Sequence, residues 1–183
     1  MSPQTWFSVL DIDLVWAITI LVIFSIAAVL ISGYGRRTWA SPSWAVAACV
    51  ASVGLIVALT LPPTSSSFTE SWCSTTITGL PSLSGGLLSL ARLNIALLIP
   101  LGVSVTFLRP TRTALVAGAI AITVPLFVEW VQYLTPGNGH SCSLQDAALN
   151  VIGLVLGLLG GVLIHLAMHL ASRQHTSQTG TQT

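Results

Sequence analysis

The sequence predicts an all-α fold, a polytopic transmembrane bundle of about five helices, and three observations carry that prediction. Hydrophobic residues make up 53% of the 183-residue chain, whereas Asp, Glu, Lys and Arg together make up 6%. Mean hydropathy is +0.87, well above that of a soluble globular domain. Five stretches, roughly 14–32, 44–61, 93–108, 113–134 and 147–170, carry almost no charge over most of a bilayer's thickness. A helix rises about 1.5 Å per residue, so about 20 residues cross the ~30 Å hydrocarbon core. Lipid cannot satisfy free backbone amides, which makes helices the default, and the alternation expected of a membrane barrel strand is missing.

The first stretch follows Asp11 and Asp13 rather than basic residues, and its apolar run exceeds a usual signal-peptide core. It is predicted to be a retained helix after an extracytoplasmic segment, 1–13. The second and fifth stretches are plain spans. The third is short and contains Pro100, and the fourth contains Pro125 and Glu129. A bundle is therefore predicted over 14–172, followed by a polar tail, 173–183, expected to be disordered.

Charge placement predicts orientation. Arg36 and Arg37 lie between the first two stretches, Arg109 and Arg112 between the third and fourth, and Arg173 after the fifth. Five spans put all of these on one side and leave Arg92 on the other. The positive-inside rule then places the N-terminus outside and the C-terminus in the cytoplasm. The chain has no Lys, and its six Arg nearly balance five acids. No polyanion-binding face follows from that, so nucleic acid is not an expected partner.

With this orientation Cys73 and Cys142 both fall in outward-facing loops, and Cys49 falls inside the second stretch. A Cys73–Cys142 disulfide is expected in an oxidising exterior, against the alternative of two free thiols.

The same orientation gathers polar residues at the outer end. Glu129 and Gln132 are three apart, on one helical face near the end of the fourth stretch. Asp146 and Asn150 are four apart at the start of the fifth, and Arg92 and Asn94 sit at the mouth of the third. A charge facing lipid costs about 2.5–3.5 kcal/mol at the bilayer centre. Glu129 should therefore face protein or water, with Arg92 as its expected partner. The competing reading is interhelical adhesion, contributing about 0.6 kcal/mol per polar contact. Asp146 also suits a helix N-terminus, where free amides favour an anion. Gly153, Gly157 and Gly161 recur every four residues beneath Asn150, a stripe suited to close helix packing.

The segments "NIALLIPLG", "VEWVQ" and "DAALNVIGLVLG", in that order, resemble the VanZ-like membrane-protein family over about 90–162. The residues carrying the resemblance are Asn94, Pro100 and Gly102, then Glu129 and Gln132, then Asp146, Asn150, Gly153 and Gly157. Many relatives carry an Arg where this chain has His140, a cation that titrates near neutrality. The resemblance implies a multi-pass protein of the bacterial cytoplasmic membrane acting at the cell envelope. The founding type is associated with teicoplanin (glycopeptide) resistance.

Two functional classes follow. In the first, an outward-facing polar pocket holds an anionic or amphiphilic envelope ligand, a membrane lipid or cell-wall precursor. Arg92 and His140 would attract the anion, and Asn94, Gln132 and Asn150 would direct hydrogen bonds. Glu129 and Asp146 would set the local charge. In the second, Glu129 and Asp146 are the general acid and base of a membrane enzyme. No metal or other cofactor is expected: a Cys73–Cys142 disulfide would remove the Cys142 thiolate beside His140. Ser84 with His140 lacks the motif of an intramembrane protease, and His165 and His169 read as a solvated helix end.

Overall fold

A computed structural model describes residues 13–38, 41–61, 73–77, 79, 90–109, 111–135 and 142–179. The chain forms α1 (Leu14–Thr38), α2 (Ser43–Thr60), β1 (Cys73–Ser74), α3 (Leu90–Thr106), α4 (Thr111–Leu134), β2 (Cys142–Ser143) and α5 (Leu144–Thr179). Residues 1–12, His140 and residues 180–183 lie outside the described segments.

The five helices account for the five predicted apolar stretches, but they differ in reach. Among the described residues, four candidate spans are long and apolar enough to cross a bilayer: Leu14–Gly35, Ser43–Thr60, Arg112–Leu134 and Leu144–Arg173. The 17 described residues of α3 are about 25 Å long, short of the ~30 Å core, and residues 80–89 before them lie outside the described segments. α3 is nevertheless deeply packed, with Leu98, Leu101 and Val105 all buried, so protein rather than lipid covers much of it. α5 is the opposite case. The sequence predicts a disordered tail from residue 173, whereas helical backbone continues to Thr179.

Local chemistry explains the boundaries. The Asp13 carboxylate accepts from the Val15 and Trp16 amides at 3.0 and 3.3 Å, satisfying donors that the first turn of α1 leaves free. Pro42 precedes α2 with its backbone extended, as suits a chain entering a helix. Pro100 and Pro125 lie inside α3 and α4. Each removes one ladder donor; Ser104 Oγ separately donates to the Pro100 carbonyl at 2.6 Å. Ser143 opens α5, its Oγ accepting from the Asp146 amide at 3.3 Å.

α3 and α5 form the most intimate pair, α1 packs on α2, and α2 packs on α3. The core combines Ile56, Leu98, Leu101, Val128 and Leu154 from α2 to α5. Small residues bring α3 and α5 together. A Cβ on Gly153 would collide with the Ile95 carbonyl, one on Gly157 with the Ile99 carbonyl, and one on Gly161 with the Thr106 side chain. From the other side, a Cβ on Gly102 would strike the Leu154 carbonyl. This is backbone-to-backbone packing of the small-residue kind. Large apolar side chains such as Val15, Val29, Leu115 and Leu163 point outward, as expected where the solvent is hydrocarbon.

The two ends of the bundle are tied differently. At one end β1 pairs in parallel with β2, Cys73 opposite Cys142. These cysteines form the expected disulfide, their Cα atoms 4.4 Å apart. At the other end the Ser41 hydroxyl donates to the Arg109 carbonyl and accepts from the Arg109 amide. There His165 Nε2 donates to the Thr106 carbonyl at 3.0 Å, and its ring lies 4.3 Å from that of Phe107. The expectation that His165 and His169 form a solvated end is therefore met differently by the two residues. His169 is exposed, whereas His165 is half-buried because α3 ends against it.

Candidate functional site

Six of the seven polar residues singled out from sequence lie in described segments, and they gather at the disulfide end. Ser143 is the junction. Its amide donates to Glu129 Oε2 at 2.6 Å, and its hydroxyl accepts from the Asp146 amide. Asp146 Oδ1 accepts in turn from Asn94 Nδ2 at 2.8 Å. One continuous path therefore joins α4, the start of α5 and α3. Gln132 extends the arrangement to α2, its Nε2 donating to the Thr60 carbonyl at 2.8 Å. A further bond runs from Gln145 Nε2 to the Gly79 carbonyl at 2.7 Å.

The geometry follows from an altered helix cap. Residues 143–146 read Ser-Leu-Gln-Asp, a capping-box pattern in which the acid normally reaches back to the Ser amide. Here Glu129 from α4 takes that amide, which leaves Asp146 free to receive Asn94 from α3. The box becomes a three-helix clamp. The sequence signalled only that Asp146 suits a helix N-terminus; Ser three residues before it is the signal that could have revealed the cap. The substitution of Glu129 for Asp146 had no such signal, because only the fold brings residues 129 and 143 together. Thr60 and Ser143 are likewise participants that sequence reasoning missed: Thr60 takes part through its carbonyl, and Ser143 through its amide as well as its hydroxyl.

Burial divides the cluster. Glu129 and Asn150 are buried, whereas Arg92, Asn94, Gln132 and Asp146 are half-buried. Among the described residues the Asn150 amide oxygen is buried without a hydrogen-bond partner, an uncommon condition for a polar atom. The Glu129 carboxyl accepts from the Ser143 amide. His140 lies outside the described residues.

A groove of about 420 Å³ opens beside the clamp, between α4 and the β1–β2–α5 segment. Glu129 and the Cys73–Cys142 disulfide line it, with Leu126, Trp130, Tyr133 and Leu144 as its main apolar surface. Trp130 and Tyr133 are exposed and stand at the end of α4, the place amphipathic rings favour at a membrane boundary. Of the six predicted polar residues in described segments, Glu129 alone lines this groove. Asn94 and Asp146 act behind it, holding the start of α5. Among the described residues there is no cluster of three His, Cys, Asp or Glu suited to a metal ion.

Several long apolar helices, a glycine-mediated helix pair and a polar clamp at one end define a multi-pass helical membrane protein. The family model described as VanZ/LLP1 matches residues 15–165, and the chain belongs to that family. The match covers nearly the whole bundle, including α1 and α2, beyond the 90–162 region that carries the sequence resemblance. No curated protein and no solved structure matches the chain.

Proposed function

We propose that the groove beside Glu129 binds an amphiphilic ligand of the bacterial envelope, a membrane lipid or cell-wall precursor, at the outer face of the cytoplasmic membrane. The observation that carries this reading is a buried carboxyl set in the wall of an otherwise apolar groove. Leu126, Trp130 and Leu144 suit hydrocarbon, and Glu129 supplies a directional acceptor for a hydroxyl, amide or amine. Such a combination of apolar lining and few polar groups is what small-molecule sites share. An amphiphile fits better than a simple anion, because the described lining contains a carboxyl and no cation. Arg92, Asn94, Gln132, Asp146 and Asn150 then support the groove wall. The N-terminus outside and the C-terminus in the cytoplasm follow from five arginines against one, and a disulfide at the Glu129 end agrees with an oxidising exterior. The glycopeptide resistance associated with the founding type is the phenotype to test for this chain.

The test is lipid and cell-wall-precursor profiling of cells expressing wild type, Glu129→Gln or Trp130→Ala at matched membrane abundance, together with teicoplanin susceptibility. One amphiphile should co-purify with wild type and be lost from both variants. Unchanged co-purification in both refutes the groove. In the competing enzymatic reading, Glu129→Gln and Asp146→Asn retain the ligand but stop its conversion, so substrate accumulates in the profile. The clamp weighs against that reading, since both carboxyl groups already hold helix contacts.

A further inference from the structure

A second concavity lies toward the opposite end of the bundle, between the α1–α2 pair and α4. Two adjoining pockets of about 510 and 330 Å³ share Ile31, Cys49, Val50, Ala117 and Ile120, so they form one continuous cleft. Its floor is Leu101 and Val105 of α3. Apart from Cys49, its polar lining is confined to one end, where Arg112 and Thr113 stand at the start of α4.

The dimensions match one leaflet. On α4 the lining runs from Arg112 to Val124, about 18 Å at helical rise, and half of a ~30 Å hydrocarbon core is about 15 Å. Arg112 begins the candidate span Arg112–Leu134, so its guanidinium is at headgroup level while Val124 lies near mid-membrane. A single file of methylenes is slender enough to lie within the two pockets, about 510 and 330 Å³. A whole helix about 10 Å across and about 18 Å long fills roughly 1,400 Å³ and would rest on the mouth of the cleft rather than enter it. The chemistry at the mouth is also directional, because a guanidinium pairs with phosphate oxygens.

We propose that this cleft is a binding site for one anionic phospholipid, its acyl chain lying between α1–α2 and α4 and its phosphate meeting Arg112. The site is separate from the Glu129 groove and does not depend on it. It uses the leaflet on the Arg109–Arg112 side, and its occupant completes a lateral face that the described helices leave open.

Native mass spectrometry of the full chain, titrated with phosphatidylglycerol or phosphatidylcholine, tests the site. Wild type should retain one phosphatidylglycerol in preference to phosphatidylcholine. Arg112→Gln should lower that preference about fivefold, the effect of one interfacial charge. Ala117→Trp, which fills the cleft, should abolish retention of both lipids. Cys49, the free cysteine lining both pockets, should react more slowly with a membrane-permeant maleimide once phosphatidylglycerol is added. Equal retention of the two lipids by wild type, or an unchanged preference in Arg112→Gln, overturns the proposal. So does a dimer that forms in place of lipid uptake. Should Ala117→Trp fail to fold, Arg112→Gln and Cys49 protection decide the matter, since Arg112 is exposed and its replacement leaves packing intact.

Discussion

Replacing Glu129 separates what holds the bundle together from what the groove does. Glu129→Ala removes the acceptor of the Ser143 amide, a 2.6 Å bond between α4 and the start of α5. Ser143 is half-buried, so its stranded N–H regains only part of its lost hydration. A donor left in that condition costs about 1–3 kcal/mol. A loss near 2 kcal/mol lowers the folded-to-unfolded ratio roughly thirtyfold. Glu129→Gln behaves differently, because its amide oxygen has the same reach and can accept from Ser143. Its expected cost is below about 1 kcal/mol. The assay is reversible unfolding in mixed detergent and SDS micelles, followed by tryptophan emission, with Trp130 next to the altered position. Stability should fall in the order wild type, Glu129→Gln, Glu129→Ala. A stable alanine variant, or equal losses for both, would refute the clamp as drawn from the structure. Loss of function in the well-folded Gln variant would then belong to the groove.

Other outcomes follow from the same geometry. Gly161→Ala drives a methyl into Thr106 and should cost about 1–3 kcal/mol, whereas neighbouring Gly160→Ala meets Val103 at an ordinary 4.0 Å and should be tolerated. The same unfolding assay compares the two. A double-mutant cycle on Asn94→Ala and Asp146→Ala should return a coupling of about 0.5–1.5 kcal/mol, and additive losses would mean their 2.8 Å bond contributes nothing. Nonreducing mass mapping should recover a Cys73–Cys142 linked peptide with Cys49 alkylated. Topology follows from single reporter cysteines in a background lacking native thiols. One at Thr75 should label in intact cells, and one at Ser172 only after permeabilisation, if five alternating spans place the arginine-rich side inside.

Much of the architecture could be read in advance because lipid imposes simple requirements. Apolar runs of about 20 residues must be helical there, and a handful of arginines is enough to propose a sidedness. The glycines at 153, 157 and 161 announced a contact face through their period, and the placement of Cys73 and Cys142 on one side pointed to their pairing. The extent of α3 and α5 was less accessible. The 17 described residues of α3 are covered by α5 and α2, and helix continues to Thr179 through residues whose composition indicates none.

The candidate site divides along the same line. That Glu129, Gln132, Asp146 and Asn150 belong to one end follows from helical spacing and alternating direction, which are local properties of the chain. Their bonding partners are non-local. Glu129 meets the Ser143 amide, Asp146 meets Asn94 and Gln132 meets the Thr60 carbonyl, and two of these three partners are backbone groups that every residue type carries. No pattern of side chains can identify such a partner. It is selected by where α4 sets residues 129 and 132 against the start of α5 and the end of α2, and that placement exists in three dimensions alone.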